Sequence, residues 1–204
     1  MAEITAITPQ KKDKTRCNIE VDGRFYCGMK LETVMQNRLK AGDHVSEDEL
    51  SRMQLESEKT TALDKALTHI TLSMKTEREI RTYLRKKGYL QDVCDYVVEK
   101  MKGYGFLDDR AYAKSYAESA IKRKGARLIQ MELRQKGVSD EDISGAIQSL
   151  SGEEESAKRL LEKYLRGKTI DRDTIRKAYR FLMSKGFDYD TAKAALAQWG
   201  EDED

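Results

Sequence analysis

The sequence predicts a mainly α-helical protein in which tandem three-helix repeats form an elongated array behind a small N-terminal β-hairpin or β-sheet extension. Three observations carry this prediction. The dipeptide Lys-Gly recurs at a spacing of 49 residues, at Gly88, Gly137 and Gly186, as a repeated supersecondary unit requires. The single proline is Pro9, so no proline interrupts a helix after it. The dipeptide Asp22-Gly23 separates two alternating stretches, which is typical of a hairpin turn.

The N-terminal extension, residues 1–45, is predicted to be β-rich with a short helix. A two-residue turn at Asp22-Gly23 needs positive φ at both positions, which Asp and Gly tolerate. The predicted strands are Ile4–Ile7, Arg16–Val21 and Arg24–Cys27.

The hairpin register bears on the cysteines. An unbroken register pairs Val21 with Arg24, Ile19 with Tyr26, and Asn18 with Cys27. It places Cys17 opposite Gly28, on the other face of the ribbon from Cys27. We therefore expect free thiols rather than a disulfide.

About ten helices are predicted after the hairpin. Hydroxyl residues followed three positions later by Glu have the form of a capping box, which marks a helix start. Glycines that follow Lys-rich helical segments favour the position just after a helix end, where φ is positive. The predicted boxes are Ser46–Glu49, Thr76–Glu79 and Ser151–Glu154, and the predicted terminal glycines are Gly42, Gly88, Gly137 and Gly186.

The repeat period assigns the remaining segments. A shift of 49 residues superposes apolar pairs one helical turn apart, which predict the buried face of the middle helix of each repeat. These pairs are Ile80 and Leu84, Ile129 and Leu133, and Ala178 and Leu182. The predicted organisation is a connecting helix at 46–61, repeats at 62–104, 105–151 and 152–200, and an acidic tail at 201–204.

Composition excludes several classes of function. The 38 Lys and Arg nearly balance the 36 Asp and Glu, and charged residues make up 36% of the chain. No apolar run reaches the length of a membrane span, and the N-terminus does not read as a secretory signal, so we expect a cytoplasmic protein. Three Cys and two His offer no convincing metal site. No phosphate loop, nucleophile elbow or HExxH motif is present, so we expect no enzyme activity and no cofactor.

Basic residues are concentrated in the middle of the chain and also follow the repeat period. Arg78, Arg127 and Arg176 are spaced by 49 residues and lie off the apolar face. They could bind an anionic partner, either phosphates or an acidic protein groove. Alternatively, they pair with nearby carboxylates or are solvated, which contributes about 0–1 kcal/mol. The candidate contact residues are Lys122, Arg123, Lys124, Arg127 and Arg134, continued by Arg78, Arg81 and Arg85.

Three segments resemble the RecX family of regulatory proteins. They are residues 76–89, TEREIRTYLRKKGY; residues 105–113, GFLDDRAYA; and residues 124–138, KGARLIQMELRQKGV. The resemblance spans about residues 62–199 and is weakest in the third repeat. It implies a protein that binds the RecA filament on single-stranded DNA and mainly inhibits its ATPase, strand exchange and co-protease activity. Homologous recombination, DNA repair and the SOS response would be affected, and we expect a monomer.

Two other classes of function remain open at this point. Three short helices with a glycine turn are similar to helix-turn-helix units, so the protein could bind single- or double-stranded DNA without a recombinase. Such binding would weaken steeply with salt. A helical-repeat scaffold for an unrelated partner is also compatible with the fold, and it would bind neither DNA nor recombinase.

Overall fold

The computed structural model describes residues 1–199, and the predicted tail at 201–204 lies outside them. The predicted mainly α-helical fold with a small N-terminal sheet is confirmed: ten α-helices follow or flank a small sheet in the described chain. The strands are β1 Ala2–Pro9, β2 Arg16–Val21, β3 Arg24–Lys30 and β4 His44–Val45. The helices are α1 Leu31–Gln36, α2 Glu47–Ile70, α3 Glu77–Lys86, α4 Gln91–Gly103, α5 Asp109–Ala120, α6 Ala126–Gln135, α7 Asp140–Gln148, α8 Glu153–Leu165, α9 Arg172–Ser184 and α10 Tyr189–Leu196, with a 3-10 helix at Ala197–Trp199.

The chain forms two compact units. The first consists of Met1–Met74 and Ile80–Leu107, and the second consists of Lys75–Glu79 and the chain from Asp108 onward. Helix α3 therefore contributes its first residues to the second unit and its remainder to the first.

The N-terminal sheet is antiparallel, with strand order β3-β2-β1-β4. The predicted hairpin turn is confirmed, since Asp22 and Gly23 have φ of 48° and 74°. Strand β4 has only two residues, which is too short to give a periodic sequence signal.

The predicted hairpin register is correct only beside the turn. Val21 pairs with Arg24 as expected, but Ile19 pairs with Cys27 and Cys17 pairs with Met29. A bulge between Ile19 and Glu20 shifts the register by one residue and reverses the faces beyond it. The predicted pairs Ile19–Tyr26, Asn18–Cys27 and Cys17–Gly28 are therefore wrong.

The bulge places both hairpin cysteines in the same core. Cys17 and Cys27 are buried together with Ile19 and Met29, instead of lying on opposite faces. Both are free thiols, as is Cys94. Burial raises the pKa of the Cys27 thiol to about 11.

The glycine predicted to end the first helix has another position. Helix α1 ends at Gln36, and the residue with positive φ after it is Arg38, at 53°. Gly42, at φ 95°, instead lies in the turn before β4, where its N–H donates to the Ile4 carbonyl at 2.8 Å. The prediction that Gly42 ends a helix is wrong because a short coil separates it from α1.

Helix α2 joins the sheet to the first three-helix repeat. Its start has the predicted capping box between Ser46 and Glu49. The helix continues without a break past residue 61, the predicted end of the connecting helix. It buries Leu50 in the core of the sheet and Ala62 and Ala66 in the core of the first repeat.

The three Lys-Gly turns have nearly identical backbones. Gly88, Gly137 and Gly186 have φ of 88°, 86° and 87°. In each turn the glycine N–H bonds three residues back, and the N–H of the next residue bonds five residues back, which is a Schellman motif. The longer bonds run from Tyr89 to Leu84, Val138 to Leu133, and Phe187 to Leu182.

The predicted buried pairs of the middle helices are confirmed, and each pair lies in the core of its own repeat. Thr76 and Glu79 form the predicted capping box before α3. The box predicted at Ser151 is wrong. Gly152, at φ 79°, is the N-cap of α8, so Ser151 lies one position too early to cap that helix.

Candidate interaction surface

The exposed arginines that follow the repeat period lie opposite the buried pairs of their helices. Arg78 in α3, Arg127 in α6 and Arg176 in α9 are all exposed. Arg176 bonds to Asp173 at 2.7 Å, one turn earlier in its own helix. The period therefore produces a recurrent exposed cation, but each repeat surrounds it differently.

Three of the predicted contact residues form an unpaired basic surface in the second unit. Lys122 and Arg123 lie between α5 and α6, and Arg127 lies in the first turn of α6. All three are exposed, and none forms a salt bridge with any residue in the range 1–199. We call these three residues the basic loop.

Lys124 lies beside the basic loop but is already bound to a carboxylate. Its Nζ lies 2.5 and 2.7 Å from the two oxygens of Glu132, and the Tyr116 hydroxyl donates to the same carboxylate at 2.7 Å. The bond to Glu132 raises the pKa of Lys124. Burial alone would raise the pKa of Glu132, but the bonds from Lys124 and Tyr116 outweigh it, and this pKa is lowered.

Arg134 also has an acidic partner. Its Nε lies 2.7 Å from Asp140 Oδ1, and both side chains are largely exposed. Such an exposed pair contributes little to stability, so Arg134 can exchange this partner for another anion at low cost.

Arg81 and Arg85 belong to a polar network in the first unit. Arg81 pairs with Asp95 of α4, and Arg85 donates to Gln91 at 2.6 Å. Gln91 in turn donates to Asp95 at 2.9 Å. The hydrogen bond from Arg81 is the main reason why the pKa of Asp95 is lowered. These two arginines therefore connect α3 to α4.

Arg78 has a packing contact in addition to its exposed charge. A Cβ built on Gly137 would lie 2.4 Å from Arg78 Cδ, so the aliphatic part of the arginine lies directly on this glycine. The structure thus places Arg78 in the second unit, against the turn that ends α6, and Arg81 and Arg85 in the first unit.

A junction at the start of α3 was not predicted from the sequence. Thr76 Oγ1 donates to the Lys136 carbonyl at 2.7 Å, and Lys136 Nζ lies 2.8 Å from Glu79 Oε1. The bond to Glu79 raises the pKa of Lys136. The start of α3 is therefore held against the Lys-Gly turn that follows α6.

The same junction recurs at the start of α6. The N–H of Gly125 donates to the Lys185 carbonyl at 2.9 Å. Gly125 follows Thr76 by 49 residues, and Lys185 follows Lys136 by 49 residues. A Cβ on Gly125 would lie 2.3 Å from Phe187 N, so only glycine fits this approach. The residues of the two junctions are therefore related by the 49-residue period of the sequence.

Each junction is completed by an acidic residue that begins a helix. The Glu77 N–H donates to Asp109 at 2.9 Å, and the Ala126 N–H donates to Glu153 at 2.8 Å. Burial raises the pKa of Glu153, and the bond from Ala126 only partly offsets this. Carboxylates suit these positions because helix N-termini carry unpaired N–H donors and a partial positive charge.

The neighbouring acid Asp108 is a helix cap. It accepts a bond from the Ala111 N–H at 2.9 Å, as an N-cap residue of α5 does. No group of His, Cys, Asp and Glu within residues 1–199 is arranged to hold a metal ion. None of the helices in this range has the length and apolar character needed to span a bilayer.

The chain matches four family models along its length. They describe the N-terminal domain of regulatory protein RecX, at residues 2–46, and its first, second and third three-helix domains, at residues 62–101, 108–147 and 152–196. Two curated relatives carry the name regulatory protein RecX. The one from Clostridium botulinum strain Eklund 17B is 34% identical, with 97% of this chain and 96% of the relative covered. The one from Bacillus licheniformis is 30% identical, with 97% and 78% covered.

A solved structure supports the same comparison. A crystal structure of regulatory protein RecX superposes with a TM-score of 0.72 at 27% identity and covers 97% of this chain and all of that one.

Proposed function

The chain belongs to the RecX family of regulatory proteins, and from this premise we propose that it binds the RecA filament on single-stranded DNA and restrains the activity of RecA. The activities affected would be ATP hydrolysis, strand exchange and co-protease function. The protein would act through contacts alone, as a monomer in the cytoplasm, without a cofactor.

The basic loop is the observation that carries this proposal to particular residues. Lys122, Arg123 and Arg127 are exposed and form no salt bridge within the described chain. Unpaired cations do not have to break an existing salt bridge before they bind an acidic protein groove or a phosphate. We therefore place the principal contact with the filament at the basic loop.

The other candidate residues would act in graded ways. Arg134 gives up only an exposed ion pair with Asp140, so it can join the contact. Lys124 is held by Glu132 and Tyr116, and it would mainly position the basic loop. Arg78, Arg81 and Arg85 would extend the contact, although Arg81 must first leave Asp95.

The first experiment is to measure single-stranded-DNA-dependent ATP hydrolysis by the cognate RecA while this protein is titrated below the recombinase concentration. A parallel assay measures its binding to DNA alone at several salt concentrations. Loss of hydrolysis at substoichiometric protein, with weak binding to DNA alone, supports regulation of the filament through protein contacts.

The opposite result would favour the second candidate function. The same exposed cations could bind DNA phosphates, in which case the affinity for DNA alone would fall steeply with salt. Tight DNA binding together with unchanged ATP hydrolysis would overturn filament regulation and identify a DNA-binding module.

A further inference from the structure

The Lys87-Gly88 turn has the same backbone as two turns that hold a helix start, but its own docking position is open. A Cβ built on Gly137 would meet Arg78, and one built on Gly186 would meet Leu128, in both cases at less than 2.5 Å. A Cβ built on Gly88 would have no atom within 4 Å. The first of the three turns therefore lacks the occupant that the other two hold.

The hydrogen-bond acceptor of this turn is also unused. The carbonyls of Lys136 and Lys185 accept bonds from Thr76 Oγ1 and from the Gly125 N–H. Within residues 1–199, no group donates to the Lys87 carbonyl. The C-terminal end of α3 thus presents an unpaired acceptor and the negative end of a helix dipole.

A cleft of about 340 Å³ leads to this turn in the first unit. Its lining includes Lys87 and Gly88, the acidic Asp13 and Glu58, and the basic Arg16 and Lys65. Arg16 is fixed there by bonds to Thr61 at 2.8 Å and to the Gly28 carbonyl at 2.9 Å. Glu58 lies on α2, in the part of this helix that precedes the first repeat.

The lining of the cleft includes the two types of residue that accept hydrogen bonds in the occupied junctions, a Lys of the turn and a carboxylic acid. In those junctions a Lys carbonyl accepts from the residue before the helix, and a carboxylate accepts from the first helical N–H. Here Lys87, whose carbonyl has no donor within residues 1–199, and Glu58 both line one cleft. The Glu58 carboxylate also accepts a bond from the Gln54 side chain at 3.3 Å. A helix N-terminus supplies the matching N–H donors.

A second copy of this chain is a poor match for the open turn. Among the middle helices of the three repeats, the starts of α3 and α6 are already occupied, which leaves the start of α9. Its residue equivalent to Thr76 and Gly125 is Thr174, whose N–H and hydroxyl both donate to Asp171. The donors needed for docking are therefore used within α9 itself, which favours an occupant from another protein over the equivalent helix of a second copy.

We propose that the Lys87-Gly88 cleft binds the N-terminal turn of a helix of a partner protein, with Thr, Ser or Gly at its N-cap. That residue donates to the Lys87 carbonyl, and the first helical N–H donates to Glu58. The assignment of this helix to RecA rests on the proposed function. The docking chemistry itself does not.

The matched variants for a test are Gly88→Asn and Gly167→Asn. Asn tolerates positive φ, which is 88° at Gly88 and 74° at Gly167, and neither position has an atom near its Cβ. Both variants should therefore fold with little change in melting temperature. Only the first one fills the cleft.

The first arm uses a synthetic peptide of residues 74–86, which contains the α3 start that docks on the Gly137 turn. Titrated into the full ¹⁵N-labelled chain, it should shift the amide signals of Lys87, Gly88 and Tyr89. The shifts should disappear in Gly88→Asn and persist in Gly167→Asn. Absence of these shifts at millimolar peptide, or equal shifts in both variants, would overturn the docking site.

The second arm measures binding to the RecA filament. Gly88→Asn should weaken binding by at least about tenfold, because the docked turn loses its hydrogen bond and its space, while Gly167→Asn binds normally. If the wild-type chain binds the filament and Gly88→Asn binds equally well, the inference fails and the proposed function stands.

Two other outcomes separate the remaining possibilities. Peptide binding without filament binding by the wild-type chain would support the cleft and remove RecA as the partner. A concentration-dependent dimer that Gly88→Asn abolishes, measured by sedimentation equilibrium, would overturn the assignment to another protein.

Discussion

Lys136 Nζ lies 2.8 Å from Oε1 of Glu79, although 57 positions of the chain separate the two residues. Both side chains are about 30% exposed. The ion pair lies beside the bond from Thr76 to the Lys136 carbonyl, so one residue of α6's terminal turn uses its backbone and its side chain on the same helix start.

Removal of either partner of this pair should destabilise the second unit. We expect Lys136→Met or Glu79→Gln to lower the free energy of unfolding by about 1–2 kcal/mol, because each removes a hydrogen bond from a partly buried charged partner. The double variant should cost less than the sum of the two single variants. Urea unfolding measures the stability of all three variants.

The control is Arg134→Met, which breaks an exposed ion pair and should change stability by less than about 1 kcal/mol. Additive effects would argue against coupling between the two residues.

Glu79 and Glu153 should have opposite effects on the pH dependence of stability. The pKa of Glu79 is lowered, since its bonds from Lys136 and Thr76 outweigh the effect of burial. Its contribution is therefore present above its unfolded pKa and is lost as pH falls through the folded value. The pKa of Glu153 is raised by burial, so its contribution is present at acid pH and is lost as pH rises through the folded value.

The corresponding variants test these signs. At pH 7, Glu79→Gln should be less stable than the wild type, whereas Glu153→Gln should be as stable or slightly more stable, because its amide oxygen can still accept from Ala126. Below pH 4 Glu153 is protonated and neutral, so the difference in stability between Glu153→Gln and the wild type should disappear. Chemical unfolding across the range from pH 3 to pH 8 gives the comparison. A larger loss for Glu153→Gln than for Glu79→Gln at neutral pH would contradict it.

Gly125 and Gly145 should respond in opposite directions to alanine. A Cβ at Gly125 would lie within 2.5 Å of the backbone of Gly186 and Phe187, which cannot move independently. We expect Gly125→Ala to destabilise by about 1–3 kcal/mol, as overpacking does. Gly145 lies inside α7 with open space around its Cβ, so Gly145→Ala should stabilise by roughly 0.5–1 kcal/mol. Thermal unfolding of both variants measures the difference, and equal melting temperatures would refute the close-approach argument.

Charge reversal of the basic loop should weaken regulation without unfolding the chain. The variant Lys122→Glu, Arg123→Glu, Arg127→Glu replaces three exposed side chains that have no salt bridge in the described chain. We expect the concentration needed for half-maximal inhibition of RecA ATP hydrolysis to rise by at least about tenfold, because the introduced Glu carboxylates would repel an anionic surface. The matched control reverses Lys158, Lys163 and Arg166, which are also exposed. Normal inhibition by a folded basic-loop variant would remove the loop from the contact.

Local chemistry explains which parts of the fold could be predicted from the sequence. The Schellman turns at Gly88, Gly137 and Gly186 depend on a few adjacent residues, and the sequence pattern contains all of them. The hairpin turn was predictable for the same reason. The bulge near Glu20 was not, because an extra residue in a strand is selected by packing on the sheet and leaves no regular sequence pattern.

The pairing of the candidate contact residues was harder to predict than the fold. Glu132 and Asp140, the partners of Lys124 and Arg134, lie only six to eight positions away, but the choice between pairing and exposure depends on helix orientation. The junction between Thr76 and Lys136 was out of reach for local patterns. The position of Thr76 recurs at Gly125, and that of Lys136 recurs at Lys185. The period could therefore have identified these positions, but it does not show that Thr76 and Lys136 are in contact.

The continuity of α2 has a consequence for cooperativity. One end of the helix is packed in the sheet core through Leu50, and the other is packed in the first repeat through Ala62 and Ala66. Between them, Ser57 accepts a bond from the Lys30 N–H at 2.7 Å, and Thr61 accepts one from Arg16 at 2.8 Å. Local opening of the sheet removes support from the helix on which the first repeat is built. The sheet and the first repeat should therefore exchange their slowest amide hydrogens as one unit, although they match separate family models.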